Sequence, residues 1–300
     1  MEGAIFTLPG MDLARLADPM ASFFFAMLRI GSFLIASPVF GGRFVPLPIR
    51  IIAAVCLALP IADSPQFPAA EDLARLSAVP LILAELAVGL TAGLVLTVLF
   101  AAAALAGDRI ANAAGLGFAM QVDPSAGGQS PVVAQLFGLA MMMVFVGSDG
   151  HLVALRILLE SYSAHPPGAT PDVRVMVLAG LMAGGMMFAL GSALMLPVVA
   201  GLLVLNLAVG IVTRSAPQLN LFSVGFPLAI LVTFVLLWLT AQPMVEGLFG
   251  ITDTGLGLIK DLLPSAQGGA LRWQAKMMAQ NAIMTPRKNG WRRQGARAVS

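Results

Sequence analysis

Residues 175–213 form an unbroken run of 39 residues without a charged side chain, and Arg174 and Arg214 flank it. As one helix this run would be about 58 Å long, nearly twice the roughly 30 Å thickness of the hydrocarbon core of a bilayer. It must therefore bend back or leave the lipid. Pro197, with four glycines nearby, predicts a break, because an interior proline removes a hydrogen bond and clashes with the preceding turn.

The composition of the whole chain is that of an integral membrane protein. Hydrophobic residues make up 58% of the 300 residues and charged residues 11%, whereas soluble domains carry about 25% charged residues. Short polar breaks separate the apolar blocks, and the block at residues 51–62 is too short for the roughly 20 residues that a spanning helix needs. The pattern predicts an all-α, polytopic membrane protein with about six to seven apolar helices or half-helices, several kinked or broken.

A glycine-rich stretch at residues 107–131 interrupts this apolar pattern. It holds five glycines, including Gly107, Gly115 and Gly117, and only three charges. A stretch of this composition predicts an irregular segment packed inside protein or against a water-filled cavity, since lipid cannot satisfy its peptide groups. Its apolar residues on a pliable backbone favour a deformable hydrophobic seal in a conduit; these residues are Ile110, Leu116, Phe118 and Met120.

Two charged residues, Arg29 and Glu85, lie within apolar blocks. A charge inside a bilayer is costly unless it is paired or faces a wet interior, so we expect them to bond each other or a neighbouring subunit. A structural pair is favoured over a proton relay, because one acid and one base make a thin relay. Gly89 and Gly93 have the four-residue spacing that lets two helices approach closely, and Asn206 predicts an interhelical hydrogen bond.

Catalysis and cofactor binding are not expected from the remaining polar residues. His151 and His165 fall in a polar break without a second metal ligand at helical spacing, and are expected to be surface or interface side chains. The sequence has no phosphate-binding loop and no zinc-protease motif. Proline-broken segments also occur in secondary transporters, which keeps that class of function open.

The chain divides into one helical membrane domain, residues 1–263, and a basic tail, residues 264–300. From residue 271 onward there are seven Lys or Arg residues and no acidic residue. This charge bias predicts that the tail is a disordered extension on the cytoplasmic side of the membrane.

Short motifs follow one another in a fixed order between residues 29 and 249. Those of the amino-terminal half are Pro38, Gly41, Arg43, Val45, Pro46, Ile49 and Arg50, then Glu85, Gly89 and Gly93, then Gly107, Asp123, Pro124, Ser130 and Pro131. Those of the other half are Phe145, Gly150, His151, Leu196, Pro197 and Asn206, then the most specific group, Pro217, Gln218, Leu219, Asn220, Phe222, Gly225, Phe226 and Pro227. In this order they resemble the FliR family of flagellar export-gate proteins.

The resemblance implies a subunit that joins FliP and FliQ in a ring-like pore in the inner membrane at the flagellar basal body, alongside FlhA and FlhB. Unfolded flagellar proteins would pass through the pore, driven by the proton motive force and a separate ATPase. The stretch at residues 107–131 would supply a plug, with Gly107, Ile110, Gly115, Leu116, Gly117, Phe118, Met120, Asp123 and Pro124 as its residues. Virulence-type (injectisome) secretion subunits share much of this signature, and a purely structural scaffold is a further alternative.

Overall fold

A computed structural model describes residues 13–62, 67–68, 70–73, 75–116, 131–215 and 225–263, and within these ranges the chain is helical without strands. The helices are α1 (Leu13–Ala36), α2 (Leu47–Ala62), α3 (Ala70–Leu73), α4 (Ala78–Ala113), α5 (Val132–Gly147), α6 (Gly150–Ala164), α7 (Val173–Ser215), α8 (Phe226–Leu239) and α9 (Ala241–Leu262). The prediction of an all-α, polytopic membrane protein is confirmed.

Three helices are apolar and long enough to cross a membrane by themselves, within Ala17–Ala36, Ala78–Ala113 and Val173–Ser215. Two further spans arise if each bent pair of helices crosses the membrane once. The chain bends by 64° between α5 and α6 and by 66° between α8 and α9. Helix α2 has only 16 residues, as the short apolar block predicts. The described part of the chain therefore provides three to five candidate spans.

Helix α4 lies at the centre of the fold and packs against α1, α5, α7 and α9. Alanine and glycine occupy much of its buried side, and small residues allow neighbouring helices to approach closely. Larger side chains complete the core around it. They are Ile30, Phe33 and Leu34 from α1, Leu96 and Leu99 from α4, Met141 and Phe145 from α5, Leu158 from α6, Leu202 from α7 and Ile251 from α9.

The break predicted at Pro197 is wrong. Helix α7 continues through this proline over 43 residues, from Val173 to Ser215. Apolar helices tolerate an interior proline because surrounding groups and small local adjustments satisfy the carbonyl that loses its partner. The helix is about 64 Å long at 1.5 Å per residue. A continuous helix of this length extends beyond the hydrocarbon core of a bilayer, as the second of the two expectations for this block requires.

The bend between α5 and α6 has a local cause at Asp149 and Gly150. Asp149 adopts a left-handed conformation with φ 57°, which an aspartate tolerates better than most residues. Its carbonyl accepts the first hydrogen bonds of α6, from the backbone N–H groups of Leu152 and Val153. A side chain at Gly150 would meet the ring of Phe145 at 2.6 Å, so a glycine is required where α6 folds back onto α5.

Candidate functional site: a charged clamp and an anchored loop

Helices α1 and α4 approach closely at Gly89 and Gly93. A Cβ atom at Gly89 would collide with the carbonyl oxygen of Arg29 and the hydroxyl of Ser32, and one at Gly93 would lie 2.7 Å from the Cβ of Ala36. The structure thus places both glycines, spaced by four residues, against α1. This contact brings α1 backbone directly against α4, one turn from Glu85.

Arg29 of α1 and Glu85 of α4 form a two-point ion pair. Arg29 Nε donates to Glu85 Oε2 at 2.7 Å, and Arg29 Nη2 donates to Glu85 Oε1 at 2.9 Å. The side chains are 0% and 1% exposed. A buried pair of this kind is tolerated only when the remaining donors and acceptors are also satisfied.

Groups of α6 and of the connection between α6 and α7 satisfy the remaining donors and acceptors of this pair. Arg29 Nη1 donates to Ser161 Oγ at 3.0 Å, and Nη2 donates to the carbonyl of His165 at 3.2 Å. The Gly168 N–H donates to Glu85 Oε1 at 3.2 Å. The guanidinium also lies 4.3 Å from the ring centroid of Tyr162, whose hydroxyl donates to a carbonyl of α1 at 2.7 Å.

We call this group, Arg29, Glu85, Ser161, Tyr162, His165 and Gly168, the charged clamp. It joins α1, α4 and α6 to the short connection at residues 165–172 that leads into α7. Its polar contacts hold these elements in fixed positions relative to one another. Charge-assisted hydrogen bonds to a planar guanidinium fix geometry more strictly than a point charge does.

The expected surface position of His165 is wrong, because its side chain is 2% exposed. Neither ring nitrogen makes a hydrogen bond with a described group, and the nearby Ala169 carbonyl does not reach hydrogen-bonding geometry. Burial lowers the pKa of His165 below its ordinary value, and the Arg29 guanidinium lowers it further. Both effects disfavour a second positive charge beside Arg29.

Ser161, Tyr162, His165 and Gly168 were missed as site residues. The sequence does carry a signal for two of them, because Ala154, Leu158, Ser161 and His165 follow one another at spacings of four, three and four, which is one face of a helix. Tyr162 lies beside this face. The polar residues between apolar blocks obscured the pattern, and α6 in fact buries its face from Ala154 to Tyr162.

The second feature lies at the other end of α4, where the predicted irregular stretch begins. The start of this stretch is corrected, because α4 stays helical to Ala113 and includes Gly107 and Ile110. Ile110 is 0% exposed, and a Cβ at Gly107 would meet backbone atoms of Ala134 and Val133 in α5 at 2.7 Å. Both residues pack α4 against its neighbours instead of forming a movable seal, since the run of alanines before and after them continues the helix.

A glycine cap ends α4. Gly115 has φ 80°, its N–H donates to the carbonyl of Asn112 at 3.1 Å, and the Leu116 N–H donates to the carbonyl of Ala111 at 2.9 Å. This pair of hydrogen bonds is the Schellman arrangement, in which glycine occupies the left-handed position. Leu116 packs against the core, so the chain leaves α4 in a fixed direction.

Two other helices hold this end of α4. Asn206 of α7 donates from Nδ2 to the carbonyl of Ala113 at 3.2 Å, which satisfies one of the carbonyls that a helix end leaves free. The ring of Phe226, at the start of α8, lies against Gly115, within 3.4 Å of the position that a Cβ would take. The structure therefore brings together Gly115, Asn206 and Phe226, which the sequence predicted separately.

The stretch returns to the described chain at Pro131, which directly precedes α5. The first turn of α5 packs on Gly107, two turns before the end of α4. Residues 117–130 are thus attached at both ends to well-packed helices; we call these attachments, Gly107, Ala113, Gly115, Asn206 and Phe226, the loop anchor. The predicted plug residues Gly117, Phe118, Met120, Asp123 and Pro124, and the signature residues Pro217, Gln218, Leu219 and Asn220, lie outside the described residues.

The first connection, between α1 and α2, is held by Arg50. Its Nη2 donates to the carbonyls of Gly41, Gly42 and Val45 at 2.8 to 3.2 Å, and its Nε donates to the Val45 carbonyl at 3.2 Å. A chain that folds back on itself leaves such carbonyls unpaired. The arginine that follows the turn therefore fixes its shape. Of the remaining signature residues, Gly225 is the residue directly before α8 and Pro227 lies in its first turn.

No group of three or more His, Cys, Asp or Glu side chains in the described ranges is placed to hold a metal ion.

Comparison with known proteins gives one consistent family. The profile of a family described as bacterial export proteins, family 1, matches residues 20–254. The chain is 34% identical to the flagellar biosynthetic protein FliR of Pectobacterium carotovorum over 234 residues, which cover 77% of the chain and 89% of that relative. It is 34% identical to FliR of Escherichia coli over 70% of the chain and 80% of the relative. FliR of Bacillus subtilis is 32% identical over 73% of the chain and 86% of its own length.

Proposed function

Because the chain belongs to the FliR family of bacterial export proteins, we propose that it is a core subunit of the flagellar type III protein export gate. With FliP and FliQ it would form the pore through which unfolded flagellar proteins cross the inner membrane, next to FlhA and FlhB. The names of the relatives favour flagellar export over a virulence-type secretion gate.

The observation that carries the proposal is the exposed surface of α7. A bilayer covers about 20 helical residues, whereas α7 has 43 residues and exposes large apolar side chains along its whole length. Among them are Val177, Leu181, Phe188, Leu196, Leu203, Leu207 and Ile211, each more than half exposed. About half of this surface lies beyond the reach of lipid, and apolar surface of that extent belongs in contact with other protein. Sister subunits of a helical assembly would cover it.

The loop anchor supports a gating role for residues 117–130. A closing segment must be held at both ends while its middle moves, and α4 and α5 provide two packed attachment points. A leak matters at this place, since each charge moved through 100 mV is worth about 2.3 kcal/mol. The segment would fill the pore when idle and be displaced by the passing polypeptide.

The basic tail supports a cytoplasmic carboxyl terminus, because Lys and Arg near the last apolar helix favour the cytoplasmic side. Seven such residues follow residue 271 without an acid.

Copurification tests the assembly. The full-length chain, expressed with FliP and FliQ proteins of the same organism, should elute with both from a detergent-solubilised membrane. Leu207→Asn, at an apolar position that is 67% exposed on α7, should weaken this association more than Leu76→Asn, at a position that is 90% exposed outside the long helices. Equal and full recovery of FliP and FliQ with both variants would remove the basis for assigning α7 to the assembly.

Ion leak tests the gate. Deleting residues 117–120 leaves the glycine cap at Gly115 in place and should raise ion leak and growth sensitivity, with assembly intact. A photocrosslinker at Phe118 should capture an exported polypeptide in transit. An assembled deletion variant without added leak contradicts the plug, and absence of the crosslink favours a structural scaffold.

A further inference from the structure

His165 is the one buried titratable side chain of the charged clamp whose polar atoms have no partner within the described ranges. It borders a small cavity that Val88 of α4, Pro171 and Asp172 of the connection, Val175 and Met176 of α7 and Leu262 and Leu263 at the end of α9 also line. Its own carbonyl accepts a hydrogen bond from Arg29. The same residue therefore contributes its carbonyl to the clamp and its imidazole to the cavity.

The charges that face this imidazole come from several elements. Arg29 of α1 is positive, and its guanidinium donates a hydrogen bond to the His165 carbonyl. Glu85 of α4 is negative and already accepts three hydrogen bonds. Asp172 of the connection lines the cavity, and its Oδ1 accepts the N–H of Arg174. Tyr162 of α6 contributes its ring under the guanidinium, and Asp261 of α9 directly precedes the cavity residue Leu262.

We propose that His165 is a buried proton-binding site whose occupation loosens the charged clamp and, with it, the start of α7. A proton from water would add to the lone pair of one imidazole nitrogen and give an imidazolium, with no other bond made or broken. The cation would carry two N–H donors, neither matched by an acceptor in the present geometry. The new positive charge would lie beside the Arg29 guanidinium, which donates to the His165 carbonyl, and repulsion between the two cations would weaken the contact that holds residues 165–172 in the clamp.

The sign of the effect follows from burial and from Arg29, both of which lower the pKa of His165 in the folded chain. Stability is then fully present above the ordinary histidine pKa of about 6.5 and is lost as the pH falls below it, because the unfolded or loosened chain binds the proton better. Between pH 7.5 and 5.5 the folding equilibrium constant falls by at most about tenfold from this one group. The inference concerns the clamp and is independent of the pore role.

A histidine titration tests the site directly, because the chain contains only two histidines. The His151→Gln variant, labelled with ¹³C-histidine and purified with its associated membrane proteins in nanodiscs, leaves His165 as the only histidine of this chain. Subtracting the spectrum of His151→Gln/His165→Gln removes signals of the other proteins. We expect His165 to titrate clearly below 6.5. An ordinary or raised value would overturn the proposal.

Thermal unfolding tests the consequence. The wild-type chain and His151→Gln should lose stability between pH 7.5 and 5.5, and His165→Gln should lose markedly less. Identical acid sensitivity of wild type and His165→Gln would refute the coupling to the clamp. If His165→Gln does not fold, amide hydrogen exchange of residues 165–176 is measured in His151→Gln at pH 7.5 and 5.5. Protection should fall at the lower pH. Exchange that changes only by its intrinsic pH dependence would also refute the coupling to the clamp.

Discussion

Replacing Glu85 with alanine is the sharpest test of the charged clamp. The substitution removes the acceptor of two hydrogen bonds from Arg29 and of one from the Gly168 N–H. Arg29 is 0% exposed, so its charge would stay buried with only Ser161 Oγ and the His165 carbonyl as acceptors. Removing one partner of a buried pair costs about 3–5 kcal/mol of the free energy of unfolding.

That loss is large beside a typical total stability of about 5–15 kcal/mol. For a large domain each kcal/mol shifts the midpoint of thermal unfolding by about 2–4 °C, which gives a fall of roughly 6–20 °C for Glu85→Ala. The measurement is the unfolding midpoint of the full-length chain, purified with its associated proteins in detergent. An export assay of the same variant in cells separates loss of fold from loss of function.

Two controls decide how the result is interpreted. Glu246→Ala removes an exposed carboxylate of α9 and should change the midpoint by no more than about 2 °C. The double variant Arg29→Met/Glu85→Leu leaves no uncompensated charge, and should cost less than the two single substitutions together. If Glu85→Ala is as stable as Glu246→Ala, the clamp does not hold the fold. A stable Glu85→Ala chain that no longer supports export would instead indicate the proton relay.

The helix contacts support further predictions, each measured as a shift of the same unfolding midpoint. Gly89→Ala forces a Cβ into α1 and should cost roughly 1–3 kcal/mol, whereas Gly257→Ala, which meets only open space, should be neutral or slightly stabilising; equal effects would contradict the close approach. Gly115→Ala places a side chain at φ 80° and should cost about 1 kcal/mol, and no loss would contradict the cap. Asn206→Leu leaves the Ala113 carbonyl without its partner and should cost about 1–3 kcal/mol, with Asn206→Gln retaining part of the bond; a neutral Asn206→Leu would show that this carbonyl finds another donor.

The parts of the fold that the sequence predicted are those with a strong physical penalty for the alternative. An isolated charge in an apolar block is costly, so Arg29 and Glu85 could be predicted to need partners, and the structure joins them. A pair of glycines four residues apart has few uses other than a close helix contact, and Gly89 and Gly93 make one. The short length of α2 follows from the length of its apolar block.

The parts that failed depend on tertiary contacts. Pro197 would break an isolated helix, yet α7 continues through it. Gly107 lowers helix propensity by about 1 kcal/mol, but its lack of a side chain lets α5 pack there, and that contact outweighs the propensity. His165 directly follows the last turn of α6, in a part of the sequence whose polar residues predict a surface connection. Its burial depends on α1 and α4, where Arg29 and Glu85 lie 136 and about 80 residues earlier in the sequence.

The two features of the site are carried by one helix, and this limits how they can influence each other. Glu85 and Ala113 are 28 residues apart on α4, which is about 42 Å of continuous helix. A disturbance of the clamp can reach the loop anchor by shifting α4 as a body or by moving α7, which bears Asn206 and begins beside the clamp. The first route would disturb every contact of α4, including the core around Leu96 and Leu99. The second moves α7, which packs along α4 and donates the Asn206 hydrogen bond to Ala113, so α7 connects the clamp to the attachment of residues 117–130.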